Sequence, residues 1–187
     1  MIWERQDSDA SPIYMRDYAI VCFGLGMGMR SSDIVNLRFG DINWDKQCIH
    51  FIQQKTGKAV VLPFPNRVGN AVYRYLKKAR PQSTSGYIFI SHRMPYDKLN
   101  RNVCNKALQR VLPERGTSDG GFHITRPTFA TNLLRNNTKV PLISDSLGHR
   151  SDTTVLKYLS LDEERMRLCP LSLQDTGLTM ERGVFNA

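Results

Sequence analysis

The stretch Gln47–Pro63 constrains this chain most, because it interrupts an otherwise helical pattern with two short strand-like runs around one tight turn. Cys48-Ile49-His50-Phe51-Ile52 and Ala59-Val60-Val61-Leu62 read as strands, and Lys55-Thr56-Gly57-Lys58 supplies the hairpin between them. Tyr87-Ile88-Phe89-Ile90 has the composition of a third strand. Helical spacing fills the rest. Ser11-Pro12 offers a capping hydroxyl followed by proline at the first helical position. Tyr14, Tyr18, Val21, Cys22 and Leu25 then recur at three- and four-residue steps, which predicts an amphipathic helix. Gly24, Gly26 and Gly28 are expected to weaken its end and turn the chain. A short helix over Ser32–Leu37, capped by Ser31 or Ser32, follows. Further helices are expected over about Arg67–Lys78, Asp97–Val111, Arg126–Asn136, Pro141–Leu147 and Asp152–Leu159. The fold class expected is mainly α with a small antiparallel β-sheet (α+β).

A chain of 187 residues fits one domain and is long enough to bury a core. Its net charge of +9 points to a polyanionic partner, with nucleic acid the leading class. Cys22, Cys48, Cys104 and Cys169 are scattered, with no C-x-x-C pair and no Cys/His spacing suited to zinc. They read as reduced thiols of a cytoplasmic protein. No signal pattern precedes the first helix, and no apolar run reaches transmembrane length, so no membrane partner is expected.

The residues that carry chemistry fall in four places. Arg30 lies in Gly28-Met29-Arg30-Ser31-Ser32-Asp33, at the end of a helix-like run, and Lys55 lies in the hairpin. His123 and Arg126 share His123-Ile124-Thr125-Arg126, while His149 follows Leu147-Gly148, with Tyr158 nine positions further on. Two arginines, a lysine, two histidines and a tyrosine can together attack a phosphodiester without a metal, so no cofactor and no small-molecule substrate are expected. Guanidinium groups suit the charge of a pentavalent phosphorus transition state. A free tyrosine has a pKa of about 10, so cationic and proton-accepting neighbours must assist such a nucleophile.

The order Arg30, Lys55, His123-x-x-Arg126, His149, Tyr158 resembles the catalytic domain of tyrosine recombinases, the phage and transposon integrases. The surrounding strings GMRSSDIVNLRFGDI, KTGKAVVLP, HITRPTFATNLL and LGHRSDTTVLKYL match as well, and the resemblance runs from about Pro12 to about Leu161. It implies the DNA breaking-rejoining enzyme fold. It also implies a site-specific strand exchange through a 3′-phosphotyrosyl intermediate, on double-stranded DNA, in a tetrameric assembly. In that scheme Tyr158 is the nucleophile, Arg30 and Arg126 hold the non-bridging oxygens, and Lys55 protonates the leaving 5′ oxygen. His123 assists deprotonation of Tyr158, His149 hydrogen-bonds the phosphate, and Asp33 orients Arg30 or His123. Lys58 competes with Lys55 for the acid role. Lys58 and Arg150 flank the expected centre and are candidate DNA contacts.

Residues 1–161 are expected to form the catalytic domain, with 162–187 a C-terminal helix and tail that a neighbouring protomer can receive. The separate N-terminal DNA-clamping domain typical of the family is expected to lie outside this sequence, which reads as a fragment. Pro127 departs from the basic or small polar residue more usual after the second arginine. A type IB topoisomerase-like or resolvase activity, or an inactive DNA-binding module, are the alternatives.

Overall fold

The computed structural model describes residues 10–113 and 120–148. Helix α1 (Pro12–Met27) begins as the sequence predicts, with the Ser11 hydroxyl accepting from the Tyr14 N–H at 3.2 Å. It is not amphipathic. Arg16, Asp17, every residue from Ala19 to Gly24, and Met27 are buried. Three helices enclose it: α3 (Asn66–Lys78), α4 (Val103–Val111) and α5 (Thr125–Arg135) all pack on α1. A helix covered from several sides needs apolar residues around its circumference, not along one stripe.

Gly24 and Gly26 sit inside α1 rather than ending it. A Cβ on Gly24 would lie 2.6 Å from the Phe122 ring and 2.8 Å from the Thr125 hydroxyl, so this glycine lets the segment before α5 press against the helix. Gly28 does turn the chain, in the left-handed region at φ 62°, and its N–H bonds back to the carbonyls of Gly24 and Phe23. That turn leaves Arg30 extended and makes it, rather than Ser31 or Ser32, the cap residue of α2 (Ser31–Asn36), with its carbonyl accepting from Asp33 and Ile34.

The sheet runs β1 (Ile42–Asn43), β2 (Cys48–Ile52), β3 (Ala59–Pro63), all antiparallel, with Ile49 opposite both Ile42 and Leu62. Tyr87–Ile90 is not its third strand. Only single-residue bridges form there, Arg38 with Tyr87 and Ile90 with Lys98. The Arg80 guanidinium occupies the carbonyls of Ser85, Tyr87 and Ile88 at 2.9–3.1 Å, in place of a neighbouring strand. The β-type composition of Ile88-Phe89-Ile90 reflects complete burial. Helix α4 is also shorter than expected. The Asn100 side chain accepts from the Asn102 N–H at 3.0 Å, a local turn that competes with helix before Val103.

Two hydrophobic clusters form among the described residues. The larger joins α1, α3, α4 and the sheet. The smaller holds Ala130, Leu134, Ile143 and Leu147 between α5 and α6 (Val140–Leu147). They meet at Gly28, where a Cβ would lie 2.5 Å from Phe129 and 2.8 Å from Leu147. The described cysteines Cys22, Cys48 and Cys104 are free. No described helix is long and apolar enough to cross a membrane.

Candidate active site

A cleft of about 520 Å³ opens between the start of α2, the β2–β3 turn and the start of α5. Its lining includes Arg30, Lys55, His123 and Arg126, so four of the six candidate catalytic side chains share one space. His149, Tyr158 and Arg150 lie outside the described residues, as do the expected helix Asp152–Leu159 and the 162–187 tail. Arg101, which the sequence reading did not single out, adds a fourth cation, and no carboxylate lines the cleft among the described residues.

Each side chain is delivered by a local device. Arg30 follows the Gly28 turn, and its Nη1 donates to Gln53 Oε1 at 3.0 Å. Lys55 is exposed at the hairpin tip, where Gly57 at φ 67° closes the turn by donating to the Gln53 carbonyl at 2.8 Å. His123 is exposed on a 3-10 turn, Phe122–Ile124, whose Phe122 is buried. The Phe122 N–H donates to Asn105 Oδ1 of α4 at 2.8 Å, and the Thr125 hydroxyl donates to the Phe122 carbonyl at 2.8 Å.

Arg126 sits in the first turn of α5, where Pro127 is tolerated. Its Nη1 donates to the Gly28 carbonyl at 2.7 Å and its Nη2 to the Leu147 carbonyl. These carbonyls mark the C-terminal ends of α1 and α6. Two helix dipoles thus present their negative ends to one guanidinium, which holds it in place and stabilises its charge.

Asp33 lies behind Arg30 rather than in the cleft lining. Its Oδ1 accepts from the Gln54 N–H at 2.9 Å, while Oδ2, 4.0 Å from Arg30 Nη1, is buried without a hydrogen bond. Burial raises its pKa above the usual carboxylate range, against the opposing pull of the Gln54 N–H, Arg30 and Arg126. A raised folded value means that the stability this group contributes is complete below the unfolded value of 3.8 and is lost as pH rises through the folded one. Wild type is therefore expected to gain on Asp33→Asn as pH falls across that window, which paired thermal melts along a pH series check. Lys58 is not in the cleft lining. Its Nζ stands 3.9 Å from Asp145 Oδ1 on the exposed surface, a pairing worth well under about 1 kcal/mol.

Sequence reading missed Gln53, which is only 2% exposed. Its signal was available: Ile49 and Phe51 of β2 and Gln53 just beyond its end fall at period two on the inward side, and a polar residue in an inward position needs a reason. Gly148 supplies the matching half. It ends α6 at φ 60°, and a Cβ there would lie 2.6 Å from Gln53 Oε1. Gly148→Ala is expected to destabilise by at least about 1–2 kcal/mol from backbone strain alone, with displacement of the Gln53 amide in addition. Urea unfolding measures it.

The model of the phage integrase family matches residues 4–165. This chain belongs to the phage integrase family. It is 34% identical over 171 residues to the candidate integrase/recombinase y4gC of Sinorhizobium fredii, covering 90% of this chain and 88% of that protein. It is 30% identical to tyrosine recombinase XerA of Pyrococcus furiosus, over 82% of this chain but 53% of that protein. This integrase-family chain thus spans nearly the whole of one relative and about half of the other.

Among solved structures, the fold matches XerA recombinase with a TM-score of 0.71 at 21% identity, over 90% of this chain and 63% of that one. It matches XerH site-specific recombinase, bound to palindromic difH substrate in a post-cleavage complex, with a TM-score of 0.69 at 20% identity. That match covers 90% of this chain and 49% of the other. The integrase-family domain therefore has the fold of tyrosine recombinase catalytic domains, mainly helical with a small antiparallel sheet, as the sequence resemblance implies.

Proposed function

We propose that this chain cleaves and rejoins double-stranded DNA at a specific site through a 3′-phosphotyrosyl intermediate, in a tetramer assembled on the DNA. The observation that carries this reading is the cleft itself: Arg30, Lys55, Arg101 and Arg126 gathered with His123 and no carboxylate in the described lining. Such a cleft attracts a phosphate and stabilises additional negative charge on it. The solved XerH recombinase was captured on difH substrate and the Tn1549 transposon integrase on circular intermediate DNA, which supports DNA as the partner class.

In the proposed reaction the Tyr158 oxygen attacks the scissile phosphorus and its proton passes to His123. Arg30 and Arg126 bind the non-bridging oxygens, with His149 as a further donor. The bond from phosphorus to the 5′ oxygen breaks, and Lys55 protonates that oxygen as it leaves. Attack by the 5′-hydroxyl of another strand reverses each transfer and releases Tyr158. The phosphoester is conserved throughout, so no nucleotide cofactor is consumed. Asp33 orients Arg30, Lys58 and Arg150 contact DNA around the centre, and the reaction takes place in the cytoplasm of a bacterium carrying a phage or transposon.

The test is capture of the intermediate. A nicked duplex from the ends of the host element loses its short fragment on cleavage and cannot be rejoined. Incubated with this chain in chelator, it is expected to give a protein–DNA band that survives denaturant. DNA binding without any such band would contradict the reading. Lys55→Ala is expected to slow formation of the band by about 10²–10⁴, measured as a single-turnover time course.

A further inference from the structure

Gln53 joins three parts of the candidate site through one buried side chain. Its Oε1 accepts from Arg30 Nη1 at 3.0 Å and from the Thr56 hydroxyl at 2.8 Å, and its Nε2 donates to the Leu147 carbonyl at 3.2 Å. The orientation of the amide is fixed by its neighbours, since a guanidinium can only donate and a carbonyl can only accept. Its backbone is tied as well, with the N–H donating to the Lys58 carbonyl at 2.9 Å. The Leu147 carbonyl that takes Nε2 also takes Arg126 Nη2, so Arg126 directly and Arg30 through Gln53 are referred to one atom at the end of α6. From Leu147 the sequence runs directly through Gly148 to His149 and Tyr158.

We propose that Gln53 is a positioning residue of the cleavage reaction, fixing Arg30 against the C-terminal end of α6. It thereby holds the phosphate-binding groups and the start of the nucleophile-bearing chain in one relative geometry. The inference rests on the proposed function and adds to it a role for a side chain that touches no substrate. Gly148 is part of the same device, because any Cβ there would occupy the space of the Gln53 amide. The amide suits this task better than a charged group. It offers an acceptor to Arg30 and a donor to Leu147 at once, without neutralising the guanidinium charge that the phosphate needs.

Two variants separate positioning from simple support. Gln53→Met keeps the volume and removes all three side-chain bonds. Gln53→Glu keeps the acceptors for Arg30 and Thr56 but replaces the donor to Leu147. Both are assayed for covalent-adduct formation at saturating DNA, for DNA affinity and for melting temperature. Each is expected to slow the chemical step by up to about 100-fold, the effect of misplacing a reacting group by about 1 Å, while DNA affinity stays close to wild type.

A substrate with sulfur in place of the bridging 5′ oxygen provides the control that a structural role would not move. Its thiolate leaves without a proton, so it is expected to restore Lys55→Ala and leave the Gln53 variants slow. Wild-type rates in either variant would overturn the proposal. So would rate losses that merely track affinity and melting temperature, or rescue of Gln53→Met by the sulfur substrate, which would place its action on the leaving-group side. If Gln53→Met melts too low to assay, Gln53→Glu decides the matter. Absence of an adduct with wild type would overturn the proposed function together with this inference, whereas an adduct unaffected in both variants overturns this inference alone.

Discussion

Replacing Tyr158 by phenylalanine is expected to remove the covalent protein–DNA adduct entirely, while affinity for the duplex stays close to wild type. The substitution deletes one oxygen and retains the ring, so a packing role would leave activity intact. A nucleophilic role leaves nothing to attack phosphorus. The cleft explains why a tyrosine, ionised to only about one part in a thousand at neutral pH, can serve. Arg30, Lys55, Arg101 and Arg126 line the described part of the cleft and no carboxylate shares that lining, so a phenolate brought to it would meet a positive field. Denaturing gels of both proteins on the nicked duplex give the answer directly. An adduct of unchanged yield in Tyr158→Phe would assign the nucleophile elsewhere.

Arg126→Ala is the second large effect, and it is expected in two separate measurements. Cleavage should fall by about 10²–10³, the usual consequence of deleting one donor to a transition-state oxygen. Stability should fall too, by on the order of 2 kcal/mol, because Arg126 makes charge-assisted bonds to the Gly28 and Leu147 carbonyls. The first of these ties α5 to the end of α1 and the second ties α5 to α6, so the loss should appear first as loosening of the α5–α6 unit. Hydrogen exchange along α6 reads it. Arg126→Lys restores charge without the planar fork that reaches two carbonyls, and it should recover only a small part of either loss.

What could be read in advance depended on how local the signal was. The Ser11-Pro12 helix start, the 48–52 and 59–62 strands and the turn between them are decided by neighbours in sequence, and the structure has them where expected, with the second strand one residue longer. The errors fall where tertiary context decides. α1 lost its amphipathic face because α3, α4 and α5 surround it, and Tyr87–Ile90 lost its strand because Arg80 took its carbonyls. Helix α4 was cut short by the Asn100 side chain.

Within the candidate site, residue types that perform chemistry stood out in the sequence because phosphoryl transfer draws on few of them. Arg30, Lys55 and the His123/Arg126 pair are far apart in the chain and line one cleft. The residues that hold them in place were harder to see. Gln53 reads as an ordinary amide unless the period of Ile49 and Phe51 is carried one step past the strand, and Arg101 lay in a stretch expected to be helix. Gly148 could be read as a helix stop from its type alone, but not as the glycine that makes room for Gln53.

The central claim, that this cleft directs a tyrosine at a phosphodiester, is tested most directly by locating the DNA on the protein. The trapped adduct is digested with nuclease and trypsin, and the peptide mass is read. Cleavage after Lys157 and Arg165 yields the peptide from Tyr158 to Arg165. The account predicts that this peptide carries a nucleotide joined through its 3′ phosphate, with fragmentation placing the added mass on Tyr158. A nucleotide on any other residue, or one joined through a 5′ phosphate, would contradict it.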